Sequence, residues 1–418
     1  MGSGGGPPAL PFLPYGRQSI DEDDVAAVAA VLRGDWLTQG PAVERFEADL
    51  AAATGAAHAV ACSSGTAALH LAYAALDLRP GDAVVVPAVT FLATASTAFL
   101  AGAEVVFADV DPDTGLLTPG HARAALDRAA AGGLRVRAIA PVHLAGQVAD
   151  MAGLARLAAE RDALLIEDAC HALGAEDASG GMGGHAAPAP VGACAASAMA
   201  VFSFHPVKTV VAGEGGAVTT GDAALAERLR RLRCHGMVRD PARFADPAAA
   251  LDSDGLPAPW YYEMAEPGWN YRLTDIQAAL ASSQLRRLPG FVARRERLRG
   301  LYEAALAPLA PLVRPMPRAP RCRPAWHLFV ALIDFAGASL SRRRVMAHLR
   351  ARGIGSQVHY IPLHRQPFWV RRYGARALPG ADAYYARCLS LPLFIGMAES
   401  DVARVAAALA ELAGGSPA

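Results

Sequence analysis

The chain has 418 residues, is 53% hydrophobic and 19% charged, and carries a formal net charge of zero with a pI near 7.2. This length suits two or three domains with a sizeable core. Its arginine-rich stretches, such as Arg294, Arg295, Arg297 and Arg299, alternate with acidic and apolar residues, which predicts a solvated helix face and argues against a nucleic-acid footprint.

Cysteine usage and hydropathy exclude two further classes of protein. The six cysteines form no CxxC pair and none stands at ligand spacing from a histidine cluster, so no metal site is predicted. The first residues lack the basic and apolar regions of a signal peptide, and no apolar run is long enough to span a bilayer. We therefore expect a cytoplasmic protein with reduced cysteines and no membrane partner.

The chain begins with a Gly/Pro-rich stretch over residues 1–14, which predicts a flexible arm. A helix is expected next, with Ser19 as its N-cap, acids in the first turn and Gly34 after its end. Apolar, β-branched runs then alternate with amphipathic helices. This pattern is typical of an α/β domain with a largely parallel sheet covered on both faces, and we assign that domain to residues 15–290.

A change of pattern near residue 290 indicates a second, smaller domain. A long helix, "RLPGFVARRERLRGLYEAAL", is followed by a Pro/Arg-rich stretch, short strands and a terminal helix. These elements predict a C-terminal α+β domain over residues 291–418.

Lys208 is the only lysine among the 39 basic residues of the chain, and it lies in "SFHPVKTVVAGEGGAVTT". Arginine provides surface charge as well as lysine does, but a lysine amine can lose its proton near neutral pH and attack a carbonyl carbon. A leftover surface lysine is the alternative. The glycines after Lys208 permit backbone conformations that other residues resist, as a cofactor loop requires.

Pyridoxal phosphate (PLP) needs an amine, a phosphate site, a carboxylate for its ring nitrogen and a flat face. Gly65 and Thr66 stand at a strand-to-helix junction, which favours anion binding, and Ser203 could add a hydroxyl. Asp168 ends an apolar strand, where functional groups of parallel sheets gather, although taken alone it is better explained as a helix N-cap, as is Glu167. Phe91 follows another strand and is either a ring-stacking residue or core.

Three longer motifs resemble the DegT/DnrJ/EryC1/StrS family of sugar aminotransferases: "EDACHALGA", "SFHPVKTVVAGEGGAVTT" and "WNYRLTDIQAALASSQL". The resemblance runs from about residue 14 to the C-terminus. It implies the fold-type I architecture of PLP-dependent aminotransferases. It also implies a homodimer with shared active sites, because Asn270 would reach the phosphate in the neighbouring subunit.

The same resemblance implies a role for each candidate residue. Lys208 would carry PLP covalently, Asp168 would meet the ring nitrogen, and His171 would contact the ring hydroxyl. The remaining cofactor contacts would be Phe91 against the ring face and Gly65, Thr66 and Ser203 at the phosphate.

One branch of the family, the aminotransferases of pseudaminic acid biosynthesis, is similar in "PYGRQSIDEDD", "DWLTQGPAVERFE", "PVHLAGQVADM" and "QVHYIPLHRQPF". It implies amino transfer from L-glutamate to a UDP-4-keto-6-deoxy-N-acetylhexosamine, giving UDP-4-amino-4,6-dideoxy-N-acetyl-β-L-altrosamine. Thr38, His327 and Tyr360 are the expected substrate contacts, and His327 is equally well explained as a core histidine. The segment between Asp168 and Lys208 departs from the pattern by a Gly/Ala/Pro-rich expansion.

Other functions stay open at this stage. The chain could aminate another nucleotide-linked keto sugar, or bind PLP as a regulator without turnover. Sugar dehydratases of the family replace the lysine by histidine, so Lys208 argues against that activity. An α/β protein with a structural lysine is the simplest alternative, and it would lack a yellow chromophore.

Overall fold

The computed structural model describes residues 11–179 and 188–414. Most of the predicted arm, residues 1–10, and the middle of the expanded segment, residues 180–187, lie outside the described residues. Leu13 is buried, its amide donates to the Gly353 carbonyl (2.8 Å), and its carbonyl accepts from the Gly355 amide (2.7 Å). Residue 13 is therefore buried and hydrogen-bonded to the C-terminal part of the chain.

The described residues alternate between strands and helices. The helices are α1 Glu22–Leu32, α2 Pro41–Thr54, α3 Gly65–Ala74, α4 Leu92–Leu100, α5 Pro119–Ala131, α6 Met151–Glu160, α7 Ala223–Arg233, α8 Asp275–Arg286, α9 Leu288–Leu306, α10 Arg342–Ala351, α11 Pro367–Tyr373, α12 Pro379–Arg387 and α13 Glu399–Gly414. The strands are β1 His58–Cys62, β2 Asp82–Pro87, β3 Glu104–Ala108, β4 Arg135–Ile139, β5 Leu164–Asp168, β6 Glu176–Asp177, β7 Ala189–Pro190, β8 Met199–Ser203, β9 Gly216–Thr220, β10 Met237–Val238, β11 Glu263–Met264, β12 Val313–Pro315, β13 Cys322–Arg323, β14 Phe329–Ile333 and β15 Cys388–Leu391.

The central sheet has seven strands in the order β1-β9-β8-β5-β4-β2-β3. The pairs from β8 to β3 are parallel, and β9 runs antiparallel to both of its neighbours. Alternate residues enter two different hydrophobic clusters: Val84 and Val86 join one, and Val85 joins the other. Both faces of the sheet are therefore covered, and the predicted α/β fold with a largely parallel sheet is confirmed.

The smaller sheet, β12-β14-β15, is antiparallel and belongs to the C-terminal part of the chain. Val330 of β14 lies in the same hydrophobic cluster as Val84 of the central sheet. The boundary near residue 290 stays a prediction.

The start of the first helix differs from the prediction. Asp21, and not Ser19, is the N-cap of α1: its side chain accepts from the Asp24 amide (3.1 Å), and the Asp24 side chain accepts from the Asp21 amide (3.1 Å). This reciprocal capping box satisfies two backbone donors at once, which explains why Asp21 takes the position. The Ser19 carbonyl instead accepts from Gln284 of α8 (2.9 Å).

The prediction that the arginines of α9 form a solvated face is wrong for two of them. Arg295 and Arg299 are each 2% exposed, because their spacing of four places both on the packed side of the helix. Arg295 donates to the carbonyls of His327 (3.1 Å) and Leu393 (3.0 Å), and burial lowers its pKa to about 10. Arg299 lies 3.7 Å over the Trp326 ring.

The described residues bear on two classes of protein, membrane-spanning and metal-binding. Over residues 11–179 and 188–414, none of the helices combines the length and apolar character needed to traverse a bilayer. Within those ranges, too, no three His, Cys, Asp or Glu side chains converge as metal ligands.

Candidate active site

A cavity of about 600 Å³ opens at the carboxyl ends of the parallel strands. The loops after β1, β2, β5 and β8 bring polar side chains to this edge, as expected for an open α/β sheet. Nine of the eleven predicted site residues line the cavity: Gly65, Thr66, Phe91, Asp168, His171, Ser203, Lys208, His327 and Tyr360. Residues up to 295 positions apart thus meet in one pocket, which we call the first cavity.

Lys208 lies on the loop between β8 and β9, where its amide donates to the His205 carbonyl (2.8 Å). Burial lowers the pKa of the Lys208 amine, while Cys170 and Asp168 act in the opposite direction. Desolvation therefore favours the neutral, nucleophilic form of the amine, which is the form that condenses with a carbonyl.

Asp168 ends β5 and is 5% exposed. Thr94 donates from Oγ1 to Asp168 Oδ2 (2.7 Å), and the Cys170 amide donates to Oδ1 (3.3 Å). Thr90 Oγ1 lies 2.7 Å from Thr94 Oγ1. Within the described part of the chain, no basic side chain pairs with Asp168 within 4.0 Å. Asp168 is therefore a fixed, buried carboxylate without a cation from the protein.

His171 is held at both ring nitrogens. Its Nδ1 accepts from the Ala145 amide (3.3 Å), and its Nε2 lies 3.1 Å from the Tyr360 hydroxyl. Since Nδ1 accepts, the proton of the neutral ring sits on Nε2. Burial and the charge of Lys208 hold the pKa of His171 well below its usual range, so the ring stays neutral and presents one N–H.

The junction between β1 and α3 is packed backbone against backbone. A Cβ on Gly65 would lie 2.7 Å from Ser203 Cβ, and a Cβ on Gly216 would lie 2.2 Å from the Ser64 carbonyl oxygen. The Ser64 hydroxyl caps the Ala67 amide (3.1 Å). The first amides of α3 remain at the open helix end, where the helix dipole favours an anion.

Three ring-bearing residues complete the first cavity. Phe91 is 54% exposed and its ring centroid lies 6.0 Å from that of Tyr360, so Phe91 is a wall residue and not core. The His327 ring lies 4.3 Å from that of His171. His327 Nδ1 is buried without a hydrogen-bond partner among the described residues, which leaves a polar atom for a ligand.

Thr38 and Asn270 do not line the first cavity. Both are exposed; Thr38 forms a β-bridge with Thr274, and Asn270 forms one with Cys234. Asp275, the last acid of the "WNYRLTD" motif, fixes this region by accepting from the amides at residues 40 (2.8 Å) and 42 (2.9 Å). Thr38 and Asn270 are thus exposed residues that lie outside the first cavity of their own chain.

Sequence reasoning missed several residues of the site. Thr94 contacts Asp168 across 74 positions of sequence, and Glu167 is buried beside it, 2.8 Å from His143 Nε2. Tyr15 and His359 also line the first cavity, and their rings lie 5.5 Å apart. Glu167, Tyr15 and His359 lie in motifs that carried the resemblance, "EDACHALGA", "PYGRQSIDEDD" and "QVHYIPLH", whereas Thr94 had no such signal.

These residues fit PLP on observations independent of any likeness. The buried carboxylate of Asp168 has no cationic partner among the described side chains, and the protonated ring nitrogen of PLP would be such a cation. The packed glycines Gly65 and Gly216 bring backbone amides to the open end of α3, where a phosphate can bind. Lys208 supplies an amine whose pKa is lowered. The amine, the carboxylate and the phosphate site thus meet at one cavity, which Phe91 also lines.

Comparison with known proteins agrees with this chemistry. The model of the DegT/DnrJ/EryC1/StrS aminotransferase family matches residues 18–410. Helicobacter pylori PseC, described as an aminotransferase involved in the biosynthesis of pseudoaminic acid, is 26% identical, with 96% of this chain and 99% of that chain covered and a TM-score of 0.83. DesI, solved in the presence of its TDP-sugar product, is 31% identical over 98% and 95% of the two chains, with a TM-score of 0.81.

Spr1654 of Streptococcus pneumoniae in its PMP form is also similar, at 25% identity over 96% and 98% of the two chains with a TM-score of 0.80. The neighbours thus include a protein that carries the amino form of the cofactor. The fold-type I architecture and the PLP dependence predicted from the sequence are confirmed. The chain belongs to the DegT/DnrJ/EryC1/StrS family and is a PLP-dependent sugar aminotransferase.

Proposed function

We propose that the enzyme transfers the amino group of L-glutamate to C4 of a UDP-4-keto-6-deoxy-N-acetylhexosamine. The product is UDP-4-amino-4,6-dideoxy-N-acetyl-β-L-altrosamine of pseudaminic acid biosynthesis. The observation that carries this proposal is the likeness to PseC of Helicobacter pylori, which extends over 96% of this chain and 99% of that one. Four sequence segments resembling that branch lie along the chain.

Lys208 is the proposed catalytic residue. Bound PLP supplies the electron sink that stabilises negative charge at the substrate carbon. With PLP bound, the neutral Lys208 Nζ would be the base that takes the proton from the α-carbon of glutamate and the acid that gives it back, and it would act in the opposite order for the sugar. Burial, which lowers the pKa of this amine, supports the role.

Asp168 and His171 hold the ring in this proposal. The Asp168 carboxylate keeps the ring nitrogen protonated, and Thr94 fixes the carboxylate through the 2.7 Å hydrogen bond. His171 would contact the ring hydroxyl through Nε2, which also lies 3.1 Å from the Tyr360 hydroxyl, and the Ala145 amide holds the tautomer. Phe91 covers one face of the ring.

The phosphate is bound by Gly65 and Thr66 at the N-terminus of α3, with the hydroxyl of Ser203. Asn270 reaches the phosphate of the partner subunit, so the enzyme works as a homodimer with shared active sites. The outward position of Asn270 supports this assignment. Segment 251–264 adds exposed apolar side chains, among them Trp260 at 72% and Met264 at 68%, that a second subunit can cover.

His327 and Tyr360 are the proposed sugar contacts from the same subunit. Both residues line the first cavity, and His327 Nδ1 is buried without a hydrogen-bond partner among the described residues. Thr38 pairs with Thr274, four residues after Asn270. Thr38 and Asn270 both lie outside the first cavity of their own subunit. We therefore assign Thr38 to the substrate that is bound in the first cavity of the partner subunit.

A second candidate is amination of another nucleotide-linked keto sugar. The 31% identity to DesI, which was solved with a TDP-sugar product, favours this alternative. The two candidates differ in nucleotide and in the sugar ring, and not in the catalytic residues.

One experiment separates them. The enzyme is first converted to its amino form with L-glutamate, which bleaches the yellow chromophore. UDP-4-keto and TDP-4-keto sugars are then added separately, and recovery of yellow absorbance is followed. We expect rapid recovery with the UDP-4-keto-6-deoxy-N-acetylhexosamine. Recovery with TDP-linked sugars alone would replace the first candidate by the second.

A further inference from the structure

The motif "PVHLAGQVADM" contains a buried histidine that the proposed function does not use. This residue, His143, is 0% exposed, and its Nε2 lies 2.8 Å from Glu167 Oε2. The Ser197 hydroxyl donates to the other oxygen, Glu167 Oε1. Glu167 is 5% exposed and directly precedes Asp168 in β5. A second buried acid with two polar partners therefore lies next to the carboxylate of the site.

The two acids of β5 lie on opposite faces of the sheet, because successive side chains of a strand alternate. Leu165 and Ile166 accordingly enter different hydrophobic clusters. Asp168 lines the first cavity, whereas Glu167 and His143 are not among its lining residues. A substrate in the first cavity therefore does not meet this pair. Any effect of the pair on the reaction has to pass through other residues.

The pair holds a carboxylate without a cation. His143 Nδ1 accepts from the Ala149 amide (3.3 Å), so the ring proton sits on Nε2 and is donated to Glu167. Within the described part of the chain, no lysine or arginine nitrogen lies within 4.0 Å of the Glu167 carboxylate. Burial of such a carboxylate costs stability unless donors satisfy it. The contact therefore fixes the His143 ring in one position.

The turn Leu144–Gly146 connects His143 to the first cavity. The Ala145 amide donates to His171 Nδ1 (3.3 Å), and the Ala145 carbonyl accepts from the His327 amide (2.9 Å). Ala145 has a φ of 60°, which is strained for a residue with a side chain and persists only where the surroundings hold it. His143 lies at the start of this turn, so its contact with Glu167 restrains the backbone that carries the Ala145 amide.

We propose that Glu167 and His143 are positioning residues of the reaction. They hold the turn Leu144–Gly146 so that the Ala145 amide keeps His171 in the tautomer with its proton on Nε2. The inference rests on the proposed function, in which His171 contacts the ring hydroxyl of PLP through Nε2. It gives the buried pair an effect on the first cavity although neither residue lines it.

The test compares two substitutions of Glu167 in the full-length enzyme. Glu167→Met keeps the length of the side chain but removes both acceptor oxygens, so the Nε2 proton of His143 loses its partner. Glu167→Gln is the conservative variant: it keeps one acceptor oxygen for His143, and its amide can donate to the Ser197 hydroxyl. Tyr302→Phe is the control for general destabilisation. It removes a buried hydroxyl that donates to the Pro392 carbonyl (2.9 Å), and Tyr302 does not line the first cavity.

Two measurements are made on each form. Ring ¹⁵N chemical shifts report the tautomer of His171 in the enzyme without PLP, and the His171 signal is the one among 12 histidines that is absent in His171→Asn. Absorbance follows the glutamate half-reaction of the PLP-loaded enzyme at saturating and limiting glutamate. In Glu167→Met we expect protonation of His171 at Nδ1 and a half-reaction slowed at least about tenfold at saturating glutamate. Glu167→Gln and Tyr302→Phe should stay near the wild type.

An unchanged His171 tautomer in Glu167→Met, or an equal change in Tyr302→Phe, would overturn the proposal. A changed tautomer with an unchanged half-reaction would support the positioning of His171 and refute its proposed contact with the ring hydroxyl. If Glu167→Met does not fold, His143→Asn, which has no donor at the place of Nε2, is compared with His143→Gln, which keeps one. The same two outcomes apply. Neither measurement uses a keto sugar, so an incorrect sugar assignment leaves the result standing.

Discussion

Thr94 donates a 2.7 Å hydrogen bond to Asp168, and Thr90 lies 2.7 Å from the same threonine hydroxyl. Thr90 precedes α4, Thr94 lies in the first turn of α4 and Asp168 ends β5, and all three side chains are buried. This chain of hydroxyls fixes the carboxylate at the end of β5 in one orientation, toward the first cavity.

Replacing Thr94 by valine should slow the glutamate half-reaction by about 10- to 100-fold, since a hydrogen bond to a charged group contributes about 1.5–3 kcal/mol. Valine keeps the shape but removes the donor. Thr94→Ser, which retains the hydroxyl, is the control and should stay near the wild-type rate. Stopped-flow absorbance at saturating glutamate measures both. Equal rates for the valine and serine variants would show that Thr94 does not position Asp168.

Lys208→Arg should fold normally and lose transamination by several orders of magnitude, because it keeps the charge but removes the proton-transferring amine. Borohydride treatment should attach the cofactor to one peptide of the wild type and to none of the variant. Arg344→Lys supplies the control: it adds an exposed lysine outside the first cavity, which should remain unlabelled. Near-normal turnover by Lys208→Arg would refute the catalytic role.

Mixing subunits tests the shared site. Lys208→Ala and Asn270→Ala homodimers should each be weakly active or inactive. After mixing and subunit exchange, part of the activity should return, since one of the two sites in a hybrid combines Lys208 with Asn270. The control mixes Lys208→Ala subunits with subunits that carry both Lys208→Ala and Asn270→Ala. No hybrid of these two contains an intact site. A fully active monomer at micromolar concentration would contradict the dimer.

Buried histidines should make stability fall as pH decreases below about 6.5. Burial and Lys208 lower the pKa of His359 to about 3, and burial lowers the pKa of His171 and His327. Below the ordinary histidine pKa the unfolded chain binds protons that the folded chain excludes, so stability present above pH 6.5 is progressively lost. Each histidine contributes a slope of about 1.4 kcal/mol per pH unit.

Urea unfolding between pH 6.5 and 5 measures that slope. His359→Asn should reduce proton uptake on unfolding by about one. An unchanged slope in His359→Asn would show that His359 is protonated in the folded enzyme.

The two faces of α9 provide a stability test. Arg295→Met leaves the carbonyls of His327 and Leu393 without their donor, which should cost about 1–3 kcal/mol. Arg297 lies two residues further along α9 and is mostly exposed. Its replacement by methionine should change the free energy of unfolding by no more than about 0.5 kcal/mol. Denaturant midpoints at pH 7.5 compare the two. Equal destabilisation by the two substitutions would show that the burial of Arg295 does not make it more important for stability than Arg297.

Local sequence signals were sufficient to predict much of the fold of this enzyme. The β-branched runs predicted the strands, because a buried parallel strand needs continuous apolar residues. The position of Asp168 at a strand end and the glycines after Lys208 indicated functional loops, since those features depend on neighbours in sequence. The lone lysine pointed to its own chemistry because arginine can replace lysine in every role except as a nucleophile.

Contacts between distant segments needed the tertiary structure. Whether Arg295 faces solvent or carbonyls depends on what packs against α9, and Ser19 lost its capping role because Asp21 and Asp24 cap each other. The sequence by itself determined the fold class, and it predicted Lys208 as the catalytic residue and the contacts expected around PLP. Only the folded chain decided which hydroxyl orients Asp168 and which arginines of α9 are buried, because burial and hydrogen-bond geometry depend on residues far apart in sequence.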